Sequence, residues 1–319
     1  MTEISESVVL VGRTLTGRTN SWEIKGDQLI AMPGSELVSQ RVRTVDGTTL
    51  VRRSLPDELD DAKRLLLDNE IRALARLTHA FPATGPFPAL VGYDMDSPDP
   101  WALTADWRGV PASDVVGGLL RAGLEQFAGS LFQAVAYLGT VEVVHTALRL
   151  DSLYLDGTSP QIVTFEHAAF FGEPRDDGRG PALAQHDVLA AGKVLYEAFT
   201  GVAAPPGRVD LADVAWLGAR LPDVFGELNA RPSAIDVVQR LGTGAVPVPA
   251  VHDELRAGRA EFDEARQRKM PPQPETVRTF PVRPPQQKVK LPAHNRVLLI
   301  AGALVVIALL VFVIVGGLS

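Results

Sequence analysis

The last part of the chain contains 22 consecutive residues without a charge or a proline, from Val297 to Leu318. As an α-helix rising about 1.5 Å per residue, this run is roughly 33 Å long, enough to cross a hydrocarbon core of about 30 Å. We therefore predict a single transmembrane helix over residues 297–318, with a helix buried in a protein core as the alternative. The rest of the fold must then be built from residues 1–296.

The charges beside this run predict its orientation. Four basic residues precede it, and no charged side chain follows it: Arg283, Lys288, Lys290 and Arg296. Because basic residues favour the cytoplasmic side of a membrane, we expect residues 1–296 in the cytoplasm and the C-terminus outside. The expected location is the cell membrane, in a single pass, with the lipid bilayer contacting residues 297–318.

A proline-rich, basic segment over residues 266–296 precedes the apolar run. Prolines crowd residues 271–292, and proline stiffens a chain towards polyproline II, so we predict a linker. Thr276 and Thr279 lie within it and are candidate phosphorylation sites, because a phosphothreonine in a basic stretch can be recognised by a partner domain. An unmodified spacer is the alternative.

Composition limits the classes of protein that fit the remainder. The net charge is −7, which argues against a general nucleic-acid-binding protein. The chain has no cysteine, so neither disulfides nor thiolate metal sites can form. Hydrophobic residues make up 46% of the chain, enough for a substantial core.

Hydrophobic periodicity predicts strands first and helices afterwards. Residues 7–55 have strand patterns, with a turn at Asp46-Gly47, and residues 57–77 have a helical pattern. Further helices are predicted over 124–138 and 188–199, and short strands at 153–156 and 161–165. We therefore expect an α+β domain with two lobes, a β-rich N-lobe and an α-rich C-lobe, over residues 22–265, after an N-terminal extension, 1–21.

The segment His145-Thr-Ala147-Leu, followed by Ser152 and then by Thr164-Phe-Glu166, has the spacing of two protein kinase loops, H-R-D-L-x-x-x-N and D-F-G. Other segments resemble the same family in the same order. They are the helix containing Glu70, the strands leading to Thr104, the segment starting at Asp187, and Arg231. Over roughly residues 22–242 the chain is similar to bacterial Ser/Thr protein kinases. The resemblance implies that His145 is structural and that Asp187 binds the backbone of the loop.

The residues that perform kinase chemistry differ from the family pattern. The glycine-rich loop is reduced to Gly34, with Gly12 to Gly17 as a poor alternative, and the strand lysine is replaced by Arg53, or by Arg52 in a shifted register. Arg53 could still form an ion pair with Glu70. These positions, with Thr104, would line a degenerate cleft.

The base and the metal ligands are also replaced. Ala147 occupies the position of the catalytic aspartate, and Ser152 and Thr164 occupy those of the metal ligands, where Mg²⁺ prefers carboxylate and amide oxygens. Glu166 and Asp151 are the remaining acids nearby. We therefore expect no catalytic residue, no metal and no cofactor, with metal-free nucleotide binding as the alternative.

These observations predict a catalytically inactive pseudokinase, anchored at the membrane, that acts as a protein-interaction scaffold or an allosteric regulator. A phosphothreonine-binding domain or an active Ser/Thr kinase is the expected partner, in phosphosignalling or an envelope process. Two alternatives remain open. One is an atypical phosphotransferase or nucleotidyltransferase that uses Glu166 or Asp151, and the other is a sensor whose degenerate cleft binds a ligand.

Overall fold

The architecture was determined from a computed structural model of the chain. It describes residues 7–56, 61–81, 85–175, 178, 180–207, 209–212 and 214–244. The chain divides into two compact units, residues 1–262 and 263–319, and every described residue belongs to the first unit.

Six strands of the first unit form a closed antiparallel barrel. They are β1 (Ser7–Arg13), β2 (Thr19–Ile30), β3 (Val38–Thr44), β4 (Thr49–Ser54), β5 (Leu90–Asp94) and β6 (Trp101–Ala105). Their order around the barrel is β1-β2-β3-β4-β6-β5. The barrel closes where Arg13 of β1 pairs with Tyr93 of β5.

Alternating side chains give the barrel its own small core. Buried apolar residues from five strands pack together inside it: Leu10, Ile24, Val42, Leu50, Trp101 and Leu103. Trp22 meets Trp101 edge to face, with ring centroids 5.6 Å apart. Since successive side chains of a strand point to opposite faces, the neighbours of these residues face outwards or towards the helices.

Helices and short strands complete the described part of the chain. The helices are α1 (Asp61–Ala80), α2 (Ala112–Val115), α3 (Arg121–Thr140), α4 (Ala184–Thr200), α5 (Ala215–Arg220) and α6 (Ala234–Leu241). The strands β7 (Val110–Pro111), β9 (Leu153–Asp156) and β10 (Ser159–Ile162) form one small sheet, and β8 (Val143–Val144) pairs with β11 (Ala169–Phe170). A larger core contains Phe127 and Leu131 of α3 and Val188 and Leu195 of α4.

The expected two-lobed protein kinase-like fold is wrong. The strands do not form the β-rich lobe of that fold but close into a six-stranded barrel, accompanied by a few helices. The linear order of strands and helices is compatible with either architecture. Among the described residues, the long-range pair between Arg13 and Tyr93 closes the barrel. The identification as a pseudokinase depended on that fold and is therefore wrong as well.

Within the described residues, no helix has both the length and the apolar character needed to cross a bilayer. The predicted transmembrane helix, 297–318, and the predicted linker, 266–296, lie outside the described residues. Segment 1–21, assigned to an N-terminal extension, contains β1 and the beginning of β2.

Candidate functional site

A buried arginine marks the place where the barrel meets α1. Arg53 lies on the same face of β4 as Val51, and its side chain is fully buried. Its guanidinium binds both carboxylate oxygens of Glu70 on α1, with Nε to Oε1 and Nη2 to Oε2 each at 3.0 Å. The ion pair that the sequence allowed between Arg53 and Glu70 is present, and it joins the barrel wall to the helix.

Glu166 is the second carboxylate of this cluster. Nη2 of Arg53 donates to Oε2 of Glu166 at 2.7 Å, and the hydroxyl of Ser35 donates to the same oxygen at 2.7 Å. The backbone N–H of Glu36 donates to Oε1 at 3.2 Å. On α1, Nδ2 of Asn69 donates to the backbone carbonyl of Glu166 at 3.2 Å. One residue therefore links the β2–β3 loop, β4, α1 and the segment before β11.

Burial and charge act in opposite directions on this cluster. Burial lowers the pKa of Arg53, but Glu70 and Glu166 outweigh burial and raise it, so the guanidinium stays charged. Burial raises the pKa of Glu70, and Arg53 offsets only part of that increase. Two carboxylates share one guanidinium, and the hydroxyl groups of Ser35 and Ser39 and the carbonyl of Leu37 also accept hydrogen bonds from Arg53. We call Arg53, Glu70 and Glu166 the buried triad.

Asp187 holds the segment that carries His145. It lies in the first turn of α4, and its Oδ2 and Oδ1 accept the backbone N–H groups of His145 at 2.6 Å and Thr146 at 3.0 Å. Burial raises the pKa of Asp187 to about 7, although both hydrogen bonds act to lower it. The backbone role that the sequence implied for Asp187 is present.

Two threonines in this region have left-handed backbone conformations, which non-glycine residues rarely adopt. Thr146 has φ 61° and Thr164 has φ 57°. Thr146 is held by Asp187 and by its own hydroxyl, which donates to the carbonyl of His167 at 2.6 Å. Strained residues of this kind persist where the surroundings over-determine them, often at ligand-binding or switching sites.

His145 packs as a core residue. It is buried, and its ring lies edge to face against Phe165 with centroids 5.0 Å apart. Burial lowers the pKa of His145 to about 4, so the imidazole is neutral at physiological pH. Its Nε2 lies 3.4 Å from the carbonyl of Val163. These contacts agree with the structural role expected for it.

Arg149 covers the remaining space. Its Nη2 donates to the carbonyl of Pro33 at 2.9 Å, which connects the loop 145–152 to the β2–β3 loop. Gly34 has φ 72°, and a Cβ there would lie 2.2 Å from Nη2 of Arg149, so the guanidinium lies directly against the glycine. The cavity beneath, lined by Ala147, Asp151 and Glu166 among others, measures about 10 Å³. This is about the space of one water molecule, so the cavity in this conformation has no room for a larger ligand.

The other predicted positions have local roles. Thr104 is buried in β6, and its hydroxyl donates to the carbonyl of Ala105 at 3.2 Å. The hydroxyl of Ser152 accepts the N–H of Arg149 at 3.0 Å. Thr164 and Ser152 both border the small cavity, whereas Thr104 is not among its lining residues.

Within the described residues, no hydrogen bond or ion pair is observed between Arg52 or Arg231 and the buried triad. Arg231 donates from Nε to the carbonyl of Gly226 at 2.9 Å and from Nη1 to that of Gln185 at 3.3 Å. Arg52 was the alternative candidate for the strand arginine and is half-buried. Arg53 is the residue that faces Glu70, because its guanidinium binds the carboxylate of Glu70. Thr276 and Thr279 lie outside the described residues.

Sequence reasoning did not identify Ser35, Ser39, Asn69 and Arg149 as members of this region. No pattern of spacing marks them, because their partners lie up to 131 residues away in the chain. Among the described residues, no group of three or more acidic or histidine side chains is placed to hold a metal ion. No protein-family model matches the chain, and no characterised protein shows significant sequence similarity to it.

Proposed function

We propose that the protein is a non-catalytic binding protein, a scaffold or an allosteric regulator for another protein, held at a membrane by residues 297–318. The observation that carries this proposal is the set of partners that holds Glu166 beside a very small cavity. The Glu166 carboxylate binds Arg53, Ser35 and the backbone of Glu36, and the adjoining cavity measures about 10 Å³. The carboxylate therefore stabilises the fold.

This arrangement disfavours Glu166 as a general base. A base must come within about 3 Å of the proton that it removes, directly or through one water molecule. Arg53 and Ser35 already donate to Oε2 of Glu166 at 2.7 Å each, and a cavity of about 10 Å³ has no room for a nucleotide or a phosphoryl group. Ala147, which lines the same cavity as Glu166, has no side-chain group that could accept a proton.

A ligand-sensing cleft is the second candidate, and Arg149 is the residue that favours it. Its side chain is exposed, and the observed connection to Pro33 is a single hydrogen bond. Such a bond contributes about 1 kcal/mol, so an anion that attracts the guanidinium could displace it. Asp151, half-buried at the same cavity, would then be the acid accessible for the alternative phosphotransferase activity.

The membrane part of the proposal depends on sequence. Residues 297–318 have the length of a bilayer span, and tethering would raise the local concentration of the first unit at the membrane. Sedimentation of the full-length chain with washed membranes, compared with a chain lacking 297–318, tests this part. Equal distribution of both chains in the soluble fraction would contradict it.

Phosphate transfer from ATP tests the non-catalytic proposal. The full-length chain, Glu166→Gln and Asp151→Asn should all give the background signal, with and without Mg²⁺. Transfer by the natural chain that either variant abolishes would overturn the proposal and support the phosphotransferase. A nucleotide-dependent rise in melting temperature without transfer, lost in Arg149→Ala, would support the ligand sensor instead.

The partner requires a separate experiment. In this proposal, an active Ser/Thr kinase phosphorylates Thr276 or Thr279, and a phosphothreonine-binding domain then binds the phosphorylated residue. The full-length chain phosphorylated by such a kinase should bind that domain, and the Thr276→Ala/Thr279→Ala chain should not. Equal binding by both chains would show that these threonines are not the recognition site.

A further inference from the structure

A second cavity lies beside α4 and measures about 930 Å³. Cavities that bind small organic molecules usually measure about 300–1,000 Å³. Its walls come from α4, from the segment that follows α4 and from a short turn, Pro222–Phe225. Some of its lining residues are exposed, so the cavity opens to solvent: Pro206, Asp210 and Glu227. None of its described lining residues borders the small cavity beside Glu166.

Close packing of the turn Pro222–Phe225 against α4 forms one wall. Gly192 of α4 makes this packing possible, because a Cβ there would lie 2.5 Å from Cγ1 of Val224 and 3.2 Å from the ring of Phe225. Phe225 lines the cavity, and three aliphatic residues continue its apolar surface: Leu189, Val209 and Leu211. The apolar part of a ligand would therefore be removed from water at this wall.

Two cationic side chains line the same cavity. Lys193 of α4 is half-buried, and within the described residues it forms neither a hydrogen bond nor an ion pair. The guanidinium of Arg231, also half-buried, donates to the backbone carbonyls of Gly226 at 2.9 Å and Gln185 at 3.3 Å. It forms no ion pair with any residue that the structure describes. Both groups are therefore held at the cavity with donors available to an anion.

Arg231 stays charged in this position. Burial lowers the pKa of Arg231, and the charge of Glu227 offsets part of that decrease. An arginine side chain is not deprotonated in proteins. Its planar fork of N–H groups matches a carboxylate, and a lysine ammonium adds a compact point charge.

Two carboxylates on the exposed part of the lining limit the charge of the ligand. Asp210 and Glu227 are in contact with water, which weakens their interactions with other charges. Oδ1 of Asp210 also accepts the N–H of Ala212 at 3.0 Å. These acids would repel a multiply charged ligand such as a nucleotide more than a ligand with one negative charge.

We propose that this cavity binds a small organic monocarboxylate, whose carboxylate contacts Lys193 and Arg231 and whose apolar body packs against Leu189 and Phe225. The half-buried cations supply the attraction, the acids at the opening exclude polyanions, and the apolar wall excludes small inorganic anions. The site does not depend on the role of Glu166, so its test is separate from those of the proposed function.

Acetylation of lysine side chains tests this binding at a single residue. The full-length chain in a mild detergent is treated briefly with acetic anhydride, with and without 2-naphthoate as the probe, and mass spectrometry follows each lysine. At about four times its dissociation constant, 2-naphthoate should slow acetylation of Lys193 about fivefold, because only the unoccupied chain reacts. Lys63, half-buried on α1, is the matched control, and its acetylation should not change.

Two further probes separate charge from apolar contact. The neutral 2-naphthamide and inorganic phosphate should each protect Lys193 clearly less than 2-naphthoate does at the same concentration. Arg231→Gln should weaken the protection by 2-naphthoate about tenfold, equivalent to about 1.4 kcal/mol, and Arg231→Lys should restore part of it. Unchanged tryptophan fluorescence shows that each variant is folded.

The natural chain alone can refute the proposal. Equal acetylation of Lys193 with and without 2-naphthoate would overturn it, as would equal protection of Lys193 and Lys63. Equal protection by 2-naphthamide would show that the carboxylate is not recognised. Protection by phosphate as strong as that by 2-naphthoate would contradict the selection of a monocarboxylate.

Discussion

Removing the guanidinium of the buried triad should destabilise the protein strongly. Arg53→Met retains a side chain of similar length but leaves Glu70 and Glu166 without their cation. Their side chains are only 2% and 4% exposed. Breaking a buried ion pair by removing one partner costs about 3–5 kcal/mol, and here two carboxylates lose the same partner. We therefore expect a loss of at least about 3 kcal/mol at pH 8.

Urea unfolding of the full-length chain in a mild detergent, followed by tryptophan fluorescence, measures this loss. Arg41→Met is the control, because Arg41 binds Asp106 at 3.0 Å in a pair that is 28% and 36% exposed. Such a pair contributes at most about 1 kcal/mol. If Arg53→Met lowered the unfolding free energy by no more than Arg41→Met does, the buried triad would not stabilise the fold as argued.

The same variant has a predicted pH dependence. Without Arg53, burial raises the pKa of Glu70 further above its ordinary value. The folded variant then binds a proton that the unfolded chain releases as pH rises through the ordinary glutamate range near 4.3. The destabilisation should therefore be larger at pH 8 than at pH 5. Adding Glu70→Gln to Arg53→Met should restore part of the lost stability at pH 8, and no restoration would contradict the charge argument.

Two other features give predictions of known sign. Burial lowers the pKa of His145 to about 4, so between pH 6.5 and 4 only the unfolded chain gains the proton, and the free energy of unfolding falls by up to about 3 kcal/mol because of this residue. His145→Gln should remove this part of the acid destabilisation, measured by urea titrations at successive pH values. An unchanged dependence of the unfolding free energy on pH would contradict the prediction. Gly109 has φ 83°, and a Cβ there would lie 1.8 Å from the carbonyl oxygen of Leu155, whereas Gly157 has φ 64° and open space around it. Gly109→Ala should therefore lower the melting temperature clearly more than Gly157→Ala, for which the backbone effect alone costs about 1 kcal/mol. Equal losses in the two variants would refute the steric argument.

Local patterns predicted much of the secondary structure. The turn at Asp46-Gly47 joins β3 to β4, with Gly47 at φ 86°, and the predicted helix over 57–77 corresponds to α1, Asp61–Ala80. These features depend on residues close together in the chain. The periodicity of apolar side chains is therefore sufficient to indicate them.

Closure of the barrel could not be predicted in the same way. It depends on Arg13 and Tyr93 meeting across 80 residues, and neither residue has a property that distinguishes this pairing from an open sheet. The kinase-like spacing of the loops was therefore assigned to the wrong architecture. For the site, charge complementarity indicated the pair Arg53–Glu70, but the position of Glu166 beside Arg53, 113 residues later, depends on the tertiary fold.

The central claim is that Glu166 has a structural role beside a cavity too small for a nucleotide. Nucleotide binding tests this claim most directly. Isothermal titration of the full-length chain with ATP, with and without Mg²⁺, should give no saturable heat, because a cavity of about 10 Å³ beneath Arg149 cannot hold the ligand. Saturable binding at one site per chain, lost in Glu166→Gln and retained in Arg41→Met, would contradict the claim.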